Sequence, residues 1–386
     1  MFYGETLDTG RILKFMNRNL LHTPDGVRDI YGREYARKLT VEDQIRTKLV
    51  SFGYEDIQTP IFEYFDVFSR EIGTTPSKDL YKFFDKEGDT LVLRPDFTPS
   101  IARCAAKYFC DNNVPLRFCY IGSTFLNTSQ LQGKWREVTQ VGAELLGDAS
   151  VEADAEIISL VIESLQNAGL SRFQVSIGQV EYFKGLCEEA GLSEETELTL
   201  RECISAKNYY AAENILVEAG VPEEKRHLLL TTTDMFGSMK DLQNAKKAVH
   251  NERSLKAVEH LEKLYKVLSL YGVEGYVSFD LGMLSKYRYY TGIIFKAYTY
   301  GIGDAIVKGG RYDSLLHHFG KEAPAIGFAA VVDDILEALS RQKVEVPLPK
   351  PKKVLTYGDG DYAEVLKQAQ QMRKEGIAVE LIRKER

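Results

Sequence analysis

Polar and apolar positions alternate most regularly in the segment WREVTQVGAELL. Arg136, Val138, Gln140, Gly142 and Glu144 share one parity, and Glu137, Thr139, Val141, Ala143 and Leu145 the other, which predicts a strand. One face of that strand carries a glutamine and a glutamate flanking a glycine. Strand residues four apart are separated by roughly 13 Å, so Gln140 and Glu144 are spaced to hold the two ends of an amino-acid-sized ligand leaning over Gly142. Satisfying neighbouring strands is the commoner use of such side chains. The stretch before the strand, STFLNTSQLQG, is a loop of neutral polar groups.

Elsewhere the period changes repeatedly. REYARKLTVEDQIRTKLVSF is helical (about Glu34 to Phe52) and Gly53 ends it. EDIQTPIFEYFDVF reads as a strand that Pro60 confines to an edge or an interface. FFDKEGDTLVL predicts a hairpin turning near Glu87 to Asp89, and Thr98-Pro99 a helix start with Thr98 as its N-cap. PLRFCYIGSTF is a strand, Asp154 to Ala168 a helix, and RFQVSIGQVEYF a strand. From Glu181 to Tyr271 the chain is almost continuously helical and charged. Strands then resume with VSFDLGM, RYYTGIIFKAYTY and DAIVKGGRYDSLL, and IGFAAVVDDILEALSRQ reads as a closing helix.

The pattern predicts an α+β protein built on a mostly antiparallel sheet flanked by helices. Its expected organisation is a core of residues 1–180 and 272–343, a helical insertion at 181–271, a proline and lysine linker at 344–352, and a β-α-β unit at 353–386.

Composition narrows the function classes. A chain of 386 residues with 49 Lys plus Arg against 56 Asp plus Glu has net charge -7, which argues against a broad phosphate-binding surface. The cysteines, Cys104, Cys110, Cys119, Cys187 and Cys203, form no CxxC pair, so reduced thiols and no metal are expected. Without an apolar run of membrane-spanning length or a leader pattern at the start, a cytoplasmic location is expected.

Polar groups recur at two further strand positions. In LVLRPDFTPS, Arg94, Asp96 and Thr98 share a parity beside a helix N-terminus, which favours anions. Asp96 could meet an ammonium there while Thr98 and backbone N–H groups meet a carboxylate; capping alone would also use both. In KYRYYTGIIF and VKGGRYD, Tyr289 and Tyr290 point to opposite faces, and Gly309 and Gly310 precede Arg311 and Asp313.

The order and content of TPDGVRDIYG, LRPDFTPSIAR, YIGSTF with KWREVTQVGAELLG, YYTGIIF, KGGRYDSLL and AIGFAAVVDDIL resemble the core of histidyl-tRNA synthetases, class II aminoacyl-tRNA synthetases, over roughly residues 20 to 340. The resemblance implies a histidine pocket at Asp96, Thr98, Gln140, Glu144 and Tyr290, with Tyr289 and Arg311 from the same motifs beside it. Glu144 and Tyr290 would address the imidazole, Asp96 the ammonium, and Thr98 and Gln140 the α-groups. The arginines that grip ATP in that family are missing. Leu126, Ser285 and Asp334 occupy their positions, and Arg288 replaces the aspartate of the tyrosine motif. Losing one preorganised donor of this kind typically costs on the order of 100- to 1,000-fold in rate.

A retained pocket with lost activation chemistry resembles the synthetase-like family of ATP phosphoribosyltransferase regulatory subunits. That resemblance implies no catalysis and no cofactor of its own, and a partner in the short-form catalytic subunit. It further implies self-association as a dimer within a hetero-octamer, free histidine as feedback effector of the first step of histidine biosynthesis, and no tRNA reading by the short C-terminal unit. The alternative is a truncated but active synthetase using other cations, such as Lys134, Arg136, Arg288 or Arg311.

Overall fold

The computed structural model describes residues 21–68, 75–110, 114–128, 135–232, 235–284 and 290–384. Helix α1 (Gly32–Ser51) forms because Val41, Ile45 and Leu49 recur at helical spacing, and all three are buried. It stops at Gly53, whose φ of +84° suits a residue without a side chain. The strand expected around Pro60 is instead two short ones, β1 (Glu55–Asp56) and β2 (Phe62–Tyr64), in different sheets. The break follows from Pro60, which has no N–H for a ladder, and from Arg94, whose Nη1 takes the carbonyls of Thr59 and Pro60 at 2.9 and 3.3 Å.

The predicted hairpin is present as β3 (Lys82–Phe84) and β4 (Thr90–Leu93), with β2 on the other side of β4. Asp85 accepts from the backbone of Glu87 and Asp89 in its turn. Then come α2 (Thr98–Tyr108), β5 (Leu116–Phe125), β6 (Glu137–Leu146), α3 (Val151–Asn167) and β7 (Phe173–Gln179). Helix α3 starts where the hydroxyl of Ser150 accepts from the Ala153 amide at 3.2 Å, with Glu152 and Asp154 in its positively polarised first turn.

Residues 180–271 form α4 (Val180–Glu189), α5 (Glu194–Ser205), α6 (Tyr209–Glu218), α7 (Glu223–Thr231), a two-residue strand β8 (Phe236–Gly237), α8 (Met239–Ala248) and α9 (Glu252–Tyr271). The chain returns to the sheet through β9 (Val277–Asp280), β10 (Ile293–Thr299) and β11 (Val307–Arg311). The expected closing helix is a strand followed by a helix: β12 (Ala325–Val331), then α10 (Val332–Arg341). A short apolar run such as AIGFAAV is compatible with either state. Its place between β6 and β11, buried on both faces, decides for the strand. Residues 344–352 carry no regular element, and β13 (Lys353–Tyr357), α11 (Tyr362–Lys374) and β14 (Val379–Arg383) form a parallel β-α-β unit.

Among the described residues the main sheet has nine strands in the order β1-β5-β6-β12-β11-β10-β7-β9-β8, antiparallel except for β1 with β5 and β7 with β9. One face sends Val141, Ala143, Leu145, Ile326, Phe328, Phe295 and Ile177 into a core with α1, α3, α9 and α10. Each fully buried aliphatic side chain there contributes roughly 1.5–3 kcal/mol. The other face packs partly against α2, through Phe118, Tyr120 and Leu146 with Ile101 and Ala105; it also bears Gly122, Gly142, Gly310 and Gly327, and the candidate site lies on it.

Candidate functional site

Register fixes the floor of the site. Glu144 on β6 pairs with Phe118 on β5 and with Gly327 on β12, and Gly327 pairs with Gly310 on β11. Directly paired residues share a face, so Glu144, Gly327 and Gly310 lie in a row. A Cβ on Gly327 would overlap the Oε2 atom of Glu144, so the carboxyl lies flat across the next strand. The missing side chain of Gly310 likewise leaves room for the ring of Tyr290, whose Cε1 stands 2.7 Å from where a Cβ would be.

Glu144 is 1% exposed, and hydroxyls close on it from two directions. Thr98 Oγ1 donates to Oε1 at 2.7 Å, and the phenol of Tyr312 donates to Oε2. Burial pushes the Glu144 carboxyl up to about 8; the two hydroxyl bonds pull the other way, and the nearby Asp96 adds to the rise. With no cation beside it among the described residues, the carboxyl is cheaper to bury neutral. Burial also pushes the phenols of Tyr120 and Tyr312 well above the ordinary tyrosine range. The result is a nearly dry acid held by O–H groups, suited to meet a basic or hydrogen-bonding ligand group.

Gly142 serves a different purpose from the one its spacing suggests. A Cβ there would overlap the Tyr120 hydroxyl and the Phe328 carbonyl, so the gap houses Tyr120. The Tyr120 ring stacks on Phe97 at 4.2 Å, and the Arg94 guanidinium lies 3.9 Å from the centre of the Phe97 ring, above Gly122. Arg94 Nε donates to the Ser123 carbonyl at 2.8 Å, and burial lowers the Arg94 pKa. This stack is the wall of the site. Gln140 shares the Glu144 face, opposite Gly122 and Val331, and its buried Oε1 has no hydrogen-bond donor among the described residues.

The helix N-terminus is arranged differently from expectation. Helix α2 begins at Thr98, so Phe97 occupies the N-cap position. Asp96 Oδ1 takes the cap, accepting from the amides of Phe97 and Thr98 at 2.7 and 3.4 Å, which frees the Thr98 hydroxyl for Glu144. Asp96, Thr98, Glu144 and Tyr290 therefore come together, while Tyr289 and Ser285 lie outside the described residues.

Arg311 does not belong to the pocket. It pairs with Ile326, which pairs with Leu145, so it points to the helix face, where Asp154 holds it. Its parity is opposite to that of Gly310, and the buried Asp154 compensates its charge. Tyr312 and Tyr120, which sequence reasoning passed over, lie on the Glu144 face instead, one bonded to Glu144 and the other over Gly142. Tyr312 stands two residues beyond Gly310 on the Glu144 face, a parity signal that could have found it.

The positions that the resemblance assigns to the synthetase arginines are equally informative. Leu126 closes a hairpin rung, its amide donating to the Arg136 carbonyl at 2.8 Å. Arg136 braces its neighbours: its stem fills the space over Gly26, its amide donates to the Gly26 carbonyl at 2.7 Å, and its Nε donates to the Thr128 carbonyl at 3.3 Å. Asp334 sits in the first turn of α10 beside Asp333; burial, then Asp333, push its carboxyl up to about 6. Lys134 and Arg288 lie outside the described residues. No group of three or more potential metal ligands occurs among the described residues, and no helix there is long and apolar enough to cross a membrane.

The sheet, its glycine-lined face and the buried acid define a class II synthetase-like protein, and the Histidyl-tRNA synthetase family profile matches residues 26–335. The chain is 42% identical over 361 residues to the ATP phosphoribosyltransferase regulatory subunit of Acetivibrio thermocellus, covering 94% of this chain and 86% of that one. A crystal structure from Bacillus halodurans, titled as an ATP phosphoribosyltransferase regulatory subunit/histidyl-tRNA synthetase, superposes with a TM-score of 0.86 at 32% identity, covering 94% and 93% of the two chains. The histidyl-tRNA synthetase of Nostoc shares the fold, with a TM-score of 0.79 at 21% identity over 95% of this chain and 86% of its own. This chain belongs to the family of ATP phosphoribosyltransferase regulatory subunits.

Proposed function

We propose that the chain is a non-catalytic subunit that senses free histidine at the Glu144 site and controls a separate short-form ATP phosphoribosyltransferase catalytic subunit. In this reading it is needed for that partner's activity and confers feedback inhibition on the first step of histidine biosynthesis, within a cytoplasmic hetero-octamer built on a dimer of this chain. The core of residues 1–180 and 272–343 would carry the sensor, 181–271 the helical insertion, and 353–386 a unit joined by the 344–352 linker.

One contrast carries the reading. Glu144, held by Thr98 and Tyr312 with Asp96 nearby, supports reading these residues as the amino-acid side of a synthetase-like site. The positions that the resemblance assigns to the ATP-gripping arginines hold Leu126 and Asp334, and Arg311 is neutralised by Asp154. Grip on a triphosphate needs preorganised cations, whereas sensing an amino acid needs only differential affinity between two states of a complex.

The test is reconstitution with a short-form catalytic subunit, alongside histidine-dependent ATP–pyrophosphate exchange by this chain alone. The expected outcome is phosphoribosyl transfer that depends on this chain and is inhibited by histidine, with no exchange. Robust exchange would mean that the chain is a synthetase.

A further inference from the structure

Arg311 is removed from the pocket by its direction, yet every atom of its guanidinium is engaged. Nε and Nη2 donate to Asp154 Oδ1 at 2.8 and 2.5 Å, Nη1 donates to the Asp148 carbonyl at 2.9 Å, and Nη1 lies 3.3 Å from Asp313 Oδ1. Asp154 has no exposed surface, and its other oxygen, Oδ2, stands 2.7 Å from Nε2 of His260 on helix α9. A single buried carboxylate on α3 is thus shared between the end of β11 and α9, the long helix that closes residues 180–271.

The segment that Arg311 anchors is spliced to the pocket. The Arg311 carbonyl accepts from the Thr291 amide at 2.9 Å, and the Asp313 amide donates to Thr291 Oγ1 at 3.0 Å. Asp313 Oδ1 accepts from the Ala325 amide at 3.0 Å, and the Tyr312 amide donates to the Ala325 carbonyl at 2.7 Å. Tyr312 carries the hydroxyl that holds Glu144, and Tyr290 is the neighbour of Thr291. A one-residue step along β11 separates the buried ion pair from the pocket floor at Gly310.

We propose that Asp154 is a joint coupling the position of helix α9 to the geometry of the Glu144 site, with His260 and Arg311 as positioning residues. The physical reason is the expense of an unsatisfied buried charge. If α9 moves and withdraws His260, Asp154 loses one of its partners, and the Arg311 contact re-forms around the remaining charge. Because packed interiors shift between discrete arrangements rather than deform continuously, the end of β11 moves with it, and Tyr312 and Tyr290 follow. By reciprocity, a ligand that tightens Tyr312 on Glu144 biases α9. Only the ligand readout below rests on the histidine reading.

The test compares His260→Leu, which removes the donor, with His260→Gln, whose amide nitrogen can occupy the Nε2 position. In the full chain without ligand, His260→Leu should speed amide hydrogen exchange at 290–292 and 310–313, and it should weaken histidine binding by about 2- to 30-fold. His260→Gln should restore both. The proposal is overturned if His260→Leu speeds exchange within α9 alone and leaves the pocket segments and histidine affinity at wild-type values. If the wild-type chain binds no histidine, the sensing reading fails and the exchange comparison still decides the coupling.

Discussion

The neutral burial of Glu144 makes a prediction whose size and sign follow from the structure. The carboxyl moves from an ordinary glutamate value of 4.5 to about 8 on folding. Below pH 4.5 the native and unfolded states both hold the proton. Between the two values the native state keeps a proton that the unfolded state has released, so stability falls as pH rises, by about 1.4 kcal/mol per unit. The loss is complete above pH 8 and amounts to about 5 kcal/mol. Replacing Glu144 by Gln removes this titration while keeping the shape: the amide oxygen still accepts from Thr98, and the Tyr312 hydroxyl can turn to accept from the amide nitrogen.

Urea unfolding of the ligand-free proteins at a series of pH values isolates the group, because every other titration is shared by both chains. The two proteins should have similar stability at pH 5, and Glu144→Gln should be the more stable by roughly 3 kcal/mol at pH 7.5. A stability difference that stays flat across this range would refute neutral burial, because it would mean that Glu144 ionises as an ordinary surface carboxylate does.

Two further substitutions probe the same geometry. Tyr312→Phe deletes the donor to Oε2, so it should destabilise the chain by about 1–3 kcal/mol and, because that bond holds the Glu144 pKa down, move the titration to still higher pH in the same series. Gly327→Ala places a methyl group on the Glu144 carboxyl; it should lower stability by about 1–3 kcal/mol and abolish histidine binding measured by calorimetry, and unchanged binding would place the ligand elsewhere.

The β6 pattern was legible along the chain because a strand has period two, and alternation alone puts Gln140, Gly142 and Glu144 on one face. The hairpin at Glu87 to Asp89 and helix α1 were legible for similar local reasons, a turn-rich break and an apolar stripe. Segment AIGFAAV was not, because a short apolar run suits a buried strand or a helix equally until its neighbours are known. The split at Pro60 was half legible: the missing N–H is local, whereas the Arg94 side chain that claims the adjacent carbonyls arrives from 34 and 35 residues away.

Sequence by itself determined which chemical groups are available: a glutamate and a glutamine on one strand face, glycines where side chains would block that face, and no arginine at Leu126 or Asp334. Tertiary structure decided what those groups do. Arg311 points away from the pocket because its parity places it on the helix face, where Asp154, brought by α3, neutralises it. Tyr120 fills the gap over Gly142, and Tyr312 reaches Glu144 across an intervening strand. Periodicity fixes the face on which a side chain lies, but burial and the partners brought from distant segments fix its charge and its contacts, and those are properties of the assembled sheet.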